Sequence, residues 1–512
     1  MNKKLIIASL AIIILICAGA FAFTNSNQST TSSVSIDANG LEDRGNLVVD
    51  SKSLDESKGL YHTDAADTNA ILVKNGGALK LADSIINKTG DTATSGDDAD
   101  FYGANSAVLV NTNGTLDISN VEINTNSKGS NGIFITNANA SSSRDSSQGG
   151  QTSDAQGGVG GQPPEATGNG GDNSQGGAGG QPPEMPSGEG GQTPGNGGGD
   201  PSGASDVSGN TEATIKNVKI TTHSDKSRGL DATYKGKINA ENIIINTDGQ
   251  SCAALATDRG EGEVHVKNSE INTGISKTSG RGSPLIYSTG NITVDNTKGT
   301  SYVSQIACIE GKNSIGVANS DLTGYSEGNR KDGDNYVDLG GIFIYQSMSG
   351  DADVGTSLFT AKDSKLTIPQ ESSVYKEAPM FHVTNTACVI DLKNTEFSFG
   401  SGTFLEVSSQ NQWGTTGSNG GNAELKTDSE KIDGNVIVDN ISSLNWTMKN
   451  TEFKGAFNST GNTTVNVADG STWTLTGDSS LSSLAVSGKI DYGSYKITVN
   501  GKTYDSSNPF KG

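Results

Sequence analysis

Along most of this chain one short pattern recurs: an apolar or small residue, any residue, Asn or Asp, a small or branched residue, any residue, then Ile, Leu or Phe. It reads Leu81-Ala82-Asp83-Ser84-Ile85-Ile86, Ile118-Ser119-Asn120-Val121-Glu122-Ile123 and Ile215-Lys216-Asn217-Val218-Lys219-Ile220. It returns around Asn242, Asn268, Asn319, Asp363, Asn394 and Asn450, with Ile245, Ile271, Leu322, Leu366, Phe397 and Phe453 three positions later. Asn296 begins a degraded copy with Gly299 in the apolar slot. From Asn217 to Asn319 the successive spacings are 25, 26, 28 and 23 residues, the period of a solenoid. Alternation over four to six residues rich in Val, Ile and Thr marks strands, whereas helical repeats need longer segments of 3.6 period. No Leu-x-x-Leu-x-Leu consensus is present. The expected fold is therefore all-β: a single-stranded right-handed parallel β-helix, its coils stacked about 4.8 Å apart and its hand set by the preference for right-handed parallel connections.

The Asn or Asp column has a structural cause. A short polar side chain tolerates the left-handed backbone of a tight bend, and stacked amides bond to one another along the axis. A second apolar column keeps the same register, as in Ala107-Val108-Leu109, Gly132-Ile133-Phe134, Gly229-Leu230-Asp231, Ala254-Leu255-Ala256, Gly341-Ile342-Phe343 and Thr403-Phe404-Leu405. The two columns together give about a dozen coils and a stack about 60 Å long.

The rhythm stops from about Ala138 to Asn210. There Gly, Gln, Ser and Pro take over, with two copies of Gly-Gly-Gln-Pro-Pro-Glu starting at Gly160 and Gly179, the composition of a disordered insertion between coils. Lys3 and Lys4 precede an almost unbroken apolar run over residues 5–23, and Ala20-Phe21-Ala22 fits a small-x-small cleavage site. This predicts export to the extracellular space or cell surface, with the segment either cleaved or kept as a membrane anchor. Cys17 follows Ile16, where a lipid-attachment signal has a small residue. The expected organisation is 1–22 signal or anchor, 23–60 linker and cap, 61–137 first coils, 138–210 insertion, 211–470 main body and 471–512 terminal cap.

Composition narrows the picture. Aromatic residues make up 5% and hydrophobic residues 32% of the 512 residues, against 68 glycines, which suits a thin elongated core. A formal net charge of −21 argues against nucleic acid as a partner, because phosphate binding needs clustered Lys and Arg. Cys252, Cys308 and Cys388 lie in alternating apolar stretches without CxxC spacing and read as small core residues.

The stacked Asn column resembles that of the pectate-lyase-like β-helix superfamily. The phrases Ser227-Arg228-Gly229-Leu230-Asp231-Ala232-Thr233, Ala256-Thr257-Asp258-Arg259-Gly260-Glu261-Gly262 and Pro284-Leu285-Ile286-Tyr287-Ser288-Thr289-Gly290 more closely resemble secreted adhesin-like β-helix proteins. The resemblance spans roughly residues 60–500. It implies a fold and an exported location. It leaves function open, since this scaffold hosts lyases, hydrolases and pure binders.

Those phrases hold the densest candidate chemistry. Residues one coil apart stack, so Asp231, Asp258 and Glu261 are expected to share a surface with Arg228 and Arg259. No cofactor is expected outside a lyase reading, in which the carboxylates would hold Ca²⁺ while a base takes the proton beside a uronate. In that reading Asp231, Asp258 and Arg259 are the catalytic candidates. A hydrolase would need two carboxylates about 5–10 Å apart. Against both stands a ladder of Arg and Asp that neutralises itself. Tyr287, Glu310, Tyr345 and His382 follow in the same strand series and would line a groove, and Trp413, in a Gly-rich loop, would be exposed to stack on sugar. His62, His223, His265 and His382 show no metal spacing, and Asp332-Gly333-Asp334-Asn335 reads as a solvated turn rather than a calcium loop. The leading expectation is a cell-surface, adhesin-like protein that binds polysaccharide or another cell surface, touching membrane only through its N-terminal segment. The alternatives are a polysaccharide lyase or glycoside hydrolase, and a structural envelope component. Nothing in the sequence specifies an oligomeric state.

Overall fold

The computed structural model describes residues 34–93, 96–138, 207–277, 282–326, 330–332, 335–337, 339–347 and 349–511. The apolar segment 5–23, Cys17, nearly all of the Gly/Pro-rich insertion, and Gly333 and Asp334 lie outside them. The described residues form a parallel β-helix, as the repeat predicts. One coil shows the plan. Glu212–Thr222 bends at Asn217, Leu230–Thr233 forms the second face, and the chain returns at Lys237–Glu241 to pair in parallel with Glu212–Lys216.

The bend explains why two faces merge into one 22-stranded sheet. Ala78–Lys88, Thr115–Thr125 and Glu212–Thr222 run through it as single strands, and Glu212–Thr222 pairs with both Lys237–Glu241 and Ile244–Thr247. The second face is a separate 13-stranded sheet running from Leu47–Asp50 to Phe457–Ser459, in line with the dozen coils expected. Parallel pairing begins with Glu42–Gly45 against Gly59–Thr63, and so includes residues of the 23–60 segment. It continues from Thr472–Leu475 to Lys489–Asp491 and from Ser479–Leu481 to Ile497–Val499, and the antiparallel pairing of Ile497–Val499 with Lys502–Tyr504 ends the stack. Ile133 pairs with Leu230 and Thr115 with Glu212, so the coils on either side of the insertion stack directly without loss of register.

Every bend residue of the repeat has a positive φ: 48° at Asp83, 54° at Asn120, 51° at Asn217, 56° at Asn242, 53° at Asn268 and 49° at Asn319. An L-residue with a longer side chain pays for this backbone, and Asn and Asp pay least. The amides ladder in part, as Asn296 Nδ2 donates to Asn268 Oδ1 (2.8 Å) and Asn394 Nδ2 to Asp363 Oδ1 (2.7 Å). Asn319 instead reaches Asp295, the residue before the bend below it (2.7 Å). A second column does as much. At several bends the N–H of the following residue is accepted by a hydroxyl one coil on: Ile243 N–H to Ser269 Oγ (3.1 Å), Thr297 N–H to Ser320 Oγ (3.0 Å) and Ser320 N–H to Ser364 Oγ (3.1 Å). At Thr395 the acceptor is the Glu430 carboxylate, with both oxygens at 3.0 Å.

Inside, one slot repeats from coil to coil. Leu116, Ala213, Ile238, Val264, Ile292 and Ile315 stack in register and are buried. Toward the C-terminus the same slot is filled by Phe359 and Trp446, beside Phe381, Phe404, Phe453 and Trp473 in edge and tilted ring contacts. The low aromatic content is thus concentrated in the last third of one thin core.

Candidate functional site

Most strands of the 22-stranded sheet alternate buried and exposed residues, as sheets with one wet face do. The 13-stranded sheet differs. Ile133–Thr136, Leu230–Thr233, Ala307–Glu310, Ile342–Tyr345 and Phe381–Thr384 are buried at every position. Its outer side is covered by segments that the repeat does not contain: the short helix Gly96–Tyr102, residues 346–347 and 349–353, and the stretch that carries Trp413. Every candidate on this sheet lies beneath that cover.

Arg228 is 2% exposed, and its guanidinium is the hub. Nη1 donates to Asp100 Oδ1 of the covering helix at 2.8 Å; Nε lies 2.6 Å from Asp258 Oδ2 and 3.7 Å from Asp231 Oδ2. Lys226 Nζ holds the other Asp100 oxygen at 2.9 Å. Arg259 sits 3.7 Å over the Phe101 ring and pairs with Asp351. Asp231 is fully buried, and neither of its oxygens accepts a hydrogen bond. Burial and the facing Asp258 charge raise its carboxyl well above the usual range, while Arg228 opposes that shift. Burial also pushes Asp258 up to about 6, again against Arg228.

The shared surface expected for Asp231, Asp258 and Glu261 is therefore corrected. Register stacks Asp231 on Phe134 and Ala256, not on Asp258, and it is the Arg228 side chain that gathers the two carboxyls in the interior. Glu261 is outside this group and pairs with Lys312 Nζ at 2.5 Å. Arg259 is tied to a cover residue rather than to Asp231 or Asp258. The open groove expected at Tyr287, Glu310, Tyr345 and His382 is a sealed layer. Tyr287 Oη donates to Glu310 Oε2 (2.8 Å), Ser347 Oγ donates to Glu310 Oε1, and burial pushes Glu310 up to about 7. Trp413 is 6% exposed and packs on Phe343 and Tyr345, with centroids 5.6 and 4.9 Å away, so it is not free to stack on sugar. A large aromatic ring beside an apolar sheet face gains more from burial than a Gly-rich loop loses in freedom.

Neither a protein-family profile, a curated protein nor a solved structure matches this chain. Its chemistry must be read from its own surfaces.

Among the described residues, no group of three or more His, Cys, Asp or Glu side chains is arranged to hold a metal ion. The open surface lies on the other sheet, and a groove of about 440 Å³ crosses four successive coils there. Thr214, Asn239, His265 and Thr293 stack in register along its floor, and Lys216, Glu241, Lys267 and Asp295 form the flanking column. His265 Nδ1 and Thr293 Oγ1 are 2.7 Å apart, and Lys267 Nζ lies 3.4 Å from Glu241 Oε2. A second groove of about 400 Å³ lies farther along, over Asn422, Glu424, Asn445 and Thr464. Sequence reading missed the first groove because its residues are the polar half of an ordinary alternation. It also missed Asp100 and Asp351, which sit outside the repeat. One signal was available: bends Asp83 and Asn120 are 37 residues apart and the coils at Ser320 and Ser364 are 44 apart, so these coils carry extra chain.

Proposed function

We propose that this chain is an adhesin-like binding protein that presents its polar sheet face to polysaccharide or to another cell surface, and that it is not an enzyme. One observation carries this reading. Asp231 and Asp258, the carboxylates a lyase or hydrolase would use, are buried against Arg228, and the half-buried Arg259 is held by Asp351, whereas the ordered polar columns that solvent reaches lie on the opposite sheet. A catalytic carboxyl must touch its substrate, and a polymer has no route to a side chain sealed under a helix. Action outside the cell rests on the apolar segment 5–23, with its preceding lysines and small-residue cleavage site.

The test is to incubate the purified full chain with acidic and uncharged polysaccharides, with and without Ca²⁺. Both the fraction of protein bound and any new reducing ends or unsaturated products are followed. Binding without product is expected. Product from the wild-type chain, abolished by Asp258→Asn in protein that stays folded, would overturn the reading in favour of a lyase or hydrolase.

A further inference from the structure

We infer that the groove over Thr214, Asn239, His265 and Thr293 takes an uncharged glycan chain lying along the stacking direction; this rests on the binding reading above and specifies its ligand. Three observations carry it.

The first is charge. The flanking column holds two lysines and two acids, Lys216, Glu241, Lys267 and Asp295, with Lys267 already 3.4 Å from Glu241. Outside the groove, two residues before Asn239, Lys237 Nζ is held by Glu263 Oε1 at 3.1 Å. The groove thus offers no surplus of cations to receive uronate, sulfate or phosphate groups, and the whole chain, at −21, repels polyanions at long range. An uncharged ligand avoids both penalties.

The second is the kind of group on the floor. Hydroxyl, amide and imidazole side chains each donate or accept, which matches the paired donor and acceptor character of sugar hydroxyls. A peptide chain is served less well, since its backbone seeks an open strand edge and the strands under this groove are paired on both sides.

The third is the repeat. The floor residues come from four consecutive coils in strict register, so equivalent side chains recur at about 4.8 Å. A pyranose ring in an extended chain has a length close to that spacing. A glycan along the stack therefore meets one floor side chain per sugar, while one lying across it would meet a single coil. The groove volume of about 440 Å³ is within the usual range for small-ligand sites and accommodates a short run of sugars.

Affinity electrophoresis of the full chain tests this, with gels holding a soluble uncharged β-linked glucan, polygalacturonate or no polymer. Two outward-facing variants are compared: Asn239→Ala/His265→Ala in this groove and Asn445→Ala in the second, with thermal unfolding used to check that each is folded. The expected result is retardation by the glucan alone, unchanged between about 0.05 and 0.5 M salt, where charge-driven binding would fall. The double variant should weaken it by about tenfold, the loss of two ordinary hydrogen bonds, and Asn445→Ala should leave it unchanged. Binding to polygalacturonate alone, or loss only in Asn445→Ala, would overturn this inference while leaving the binding reading intact. Retardation by neither polymer would overturn both.

Discussion

Arg228 Nε stands 2.6 Å from Asp258 Oδ2, with both side chains 2% exposed. The same guanidinium also anchors the covering helix through Asp100, so this pair couples the sheet to its cover. Replacing Arg228 by Met keeps most of the volume and removes the cation that three buried carboxyls share, leaving Lys226 on Asp100 alone. Breaking such a cluster from one side costs about 3–5 kcal/mol, because uncompensated charge is left behind. Chemical denaturation of Arg228→Met should show a loss of that order; a change under about 1 kcal/mol would mean the cluster is already solvated.

Asp231 sets a pH dependence. Arg228 and Lys226 face Asp100, Asp231 and Asp258, two cations against three carboxyls, so neutrality needs one proton. Asp231, whose oxygens accept no hydrogen bond and which faces Asp258, is where burial and that neighbour place it. A carboxyl with a raised folded-state pKa contributes full stability below its ordinary value of 3.8, and that contribution is lost as pH rises toward the folded-state value. Asp231→Asn should therefore flatten the decline of stability with rising pH and gain stability relative to wild type at neutral pH and above. Parallel stability–pH curves for the two proteins would refute a protonated Asp231.

Glu430 makes a separate, narrower prediction. Its side chain takes the place of the usual bend hydroxyl, accepts the Thr395 N–H, and is pushed by burial from 4.5 up to about 7. Stability from this position should fall between pH 4.5 and about 7. Glu430→Gln keeps an acceptor for the N–H without the ionisation, and should remove that component of the decline. Unfolding midpoints of both proteins across this interval decide it; an unchanged difference from one end to the other would count against the assignment.

The bend itself is testable at Asn296 and Ser320. Asn296→Ala places an ordinary side chain at φ 47° and should cost about 1–2 kcal/mol, with Asn296→Gly costing less. Ser320→Ala leaves the buried Thr297 N–H without its 3.0 Å acceptor and should cost about 1–3 kcal/mol. If Asn296→Gly proved as costly as Asn296→Ala, amide stacking rather than backbone conformation would dominate the column.

Fold and bends were legible because they repeat. Asn217, Asn242 and Asn268 occupy equivalent positions, and a period near 25 residues is visible without knowing any contact. The cover was not legible, since Asp100, Asp351 and Trp413 occur once each in segments with no period. Their partners are fixed only when coils far apart in sequence are stacked; Arg228 and Asp100 are 128 residues apart. Spacing arithmetic also misled at Asp231 and Asp258. The 27 residues between them suggested one stack, but the true register step there is 25, from Asp231 to Ala256, which leaves Asp258 two residues farther along, just past the end of Leu255–Thr257. Polar residues beneath a cover and polar residues facing water look alike in one sequence. Exposure at Trp413 and Tyr287 was therefore misjudged, and the groove at His265 passed over.

Covalent footprinting with mass spectrometry tests most directly where this chain meets its ligand. The folded full chain would be labelled at carboxyl, amine and imidazole groups, with and without a soluble uncharged glycan. The account predicts that His265, Glu241 and Lys267 label in the free protein and are protected by the glycan, while Asp231 and Asp258 stay unlabelled in both states. Labelling of Asp231 and Asp258 in the free protein, with protection on adding glycan, would contradict it and return the working site to the covered sheet.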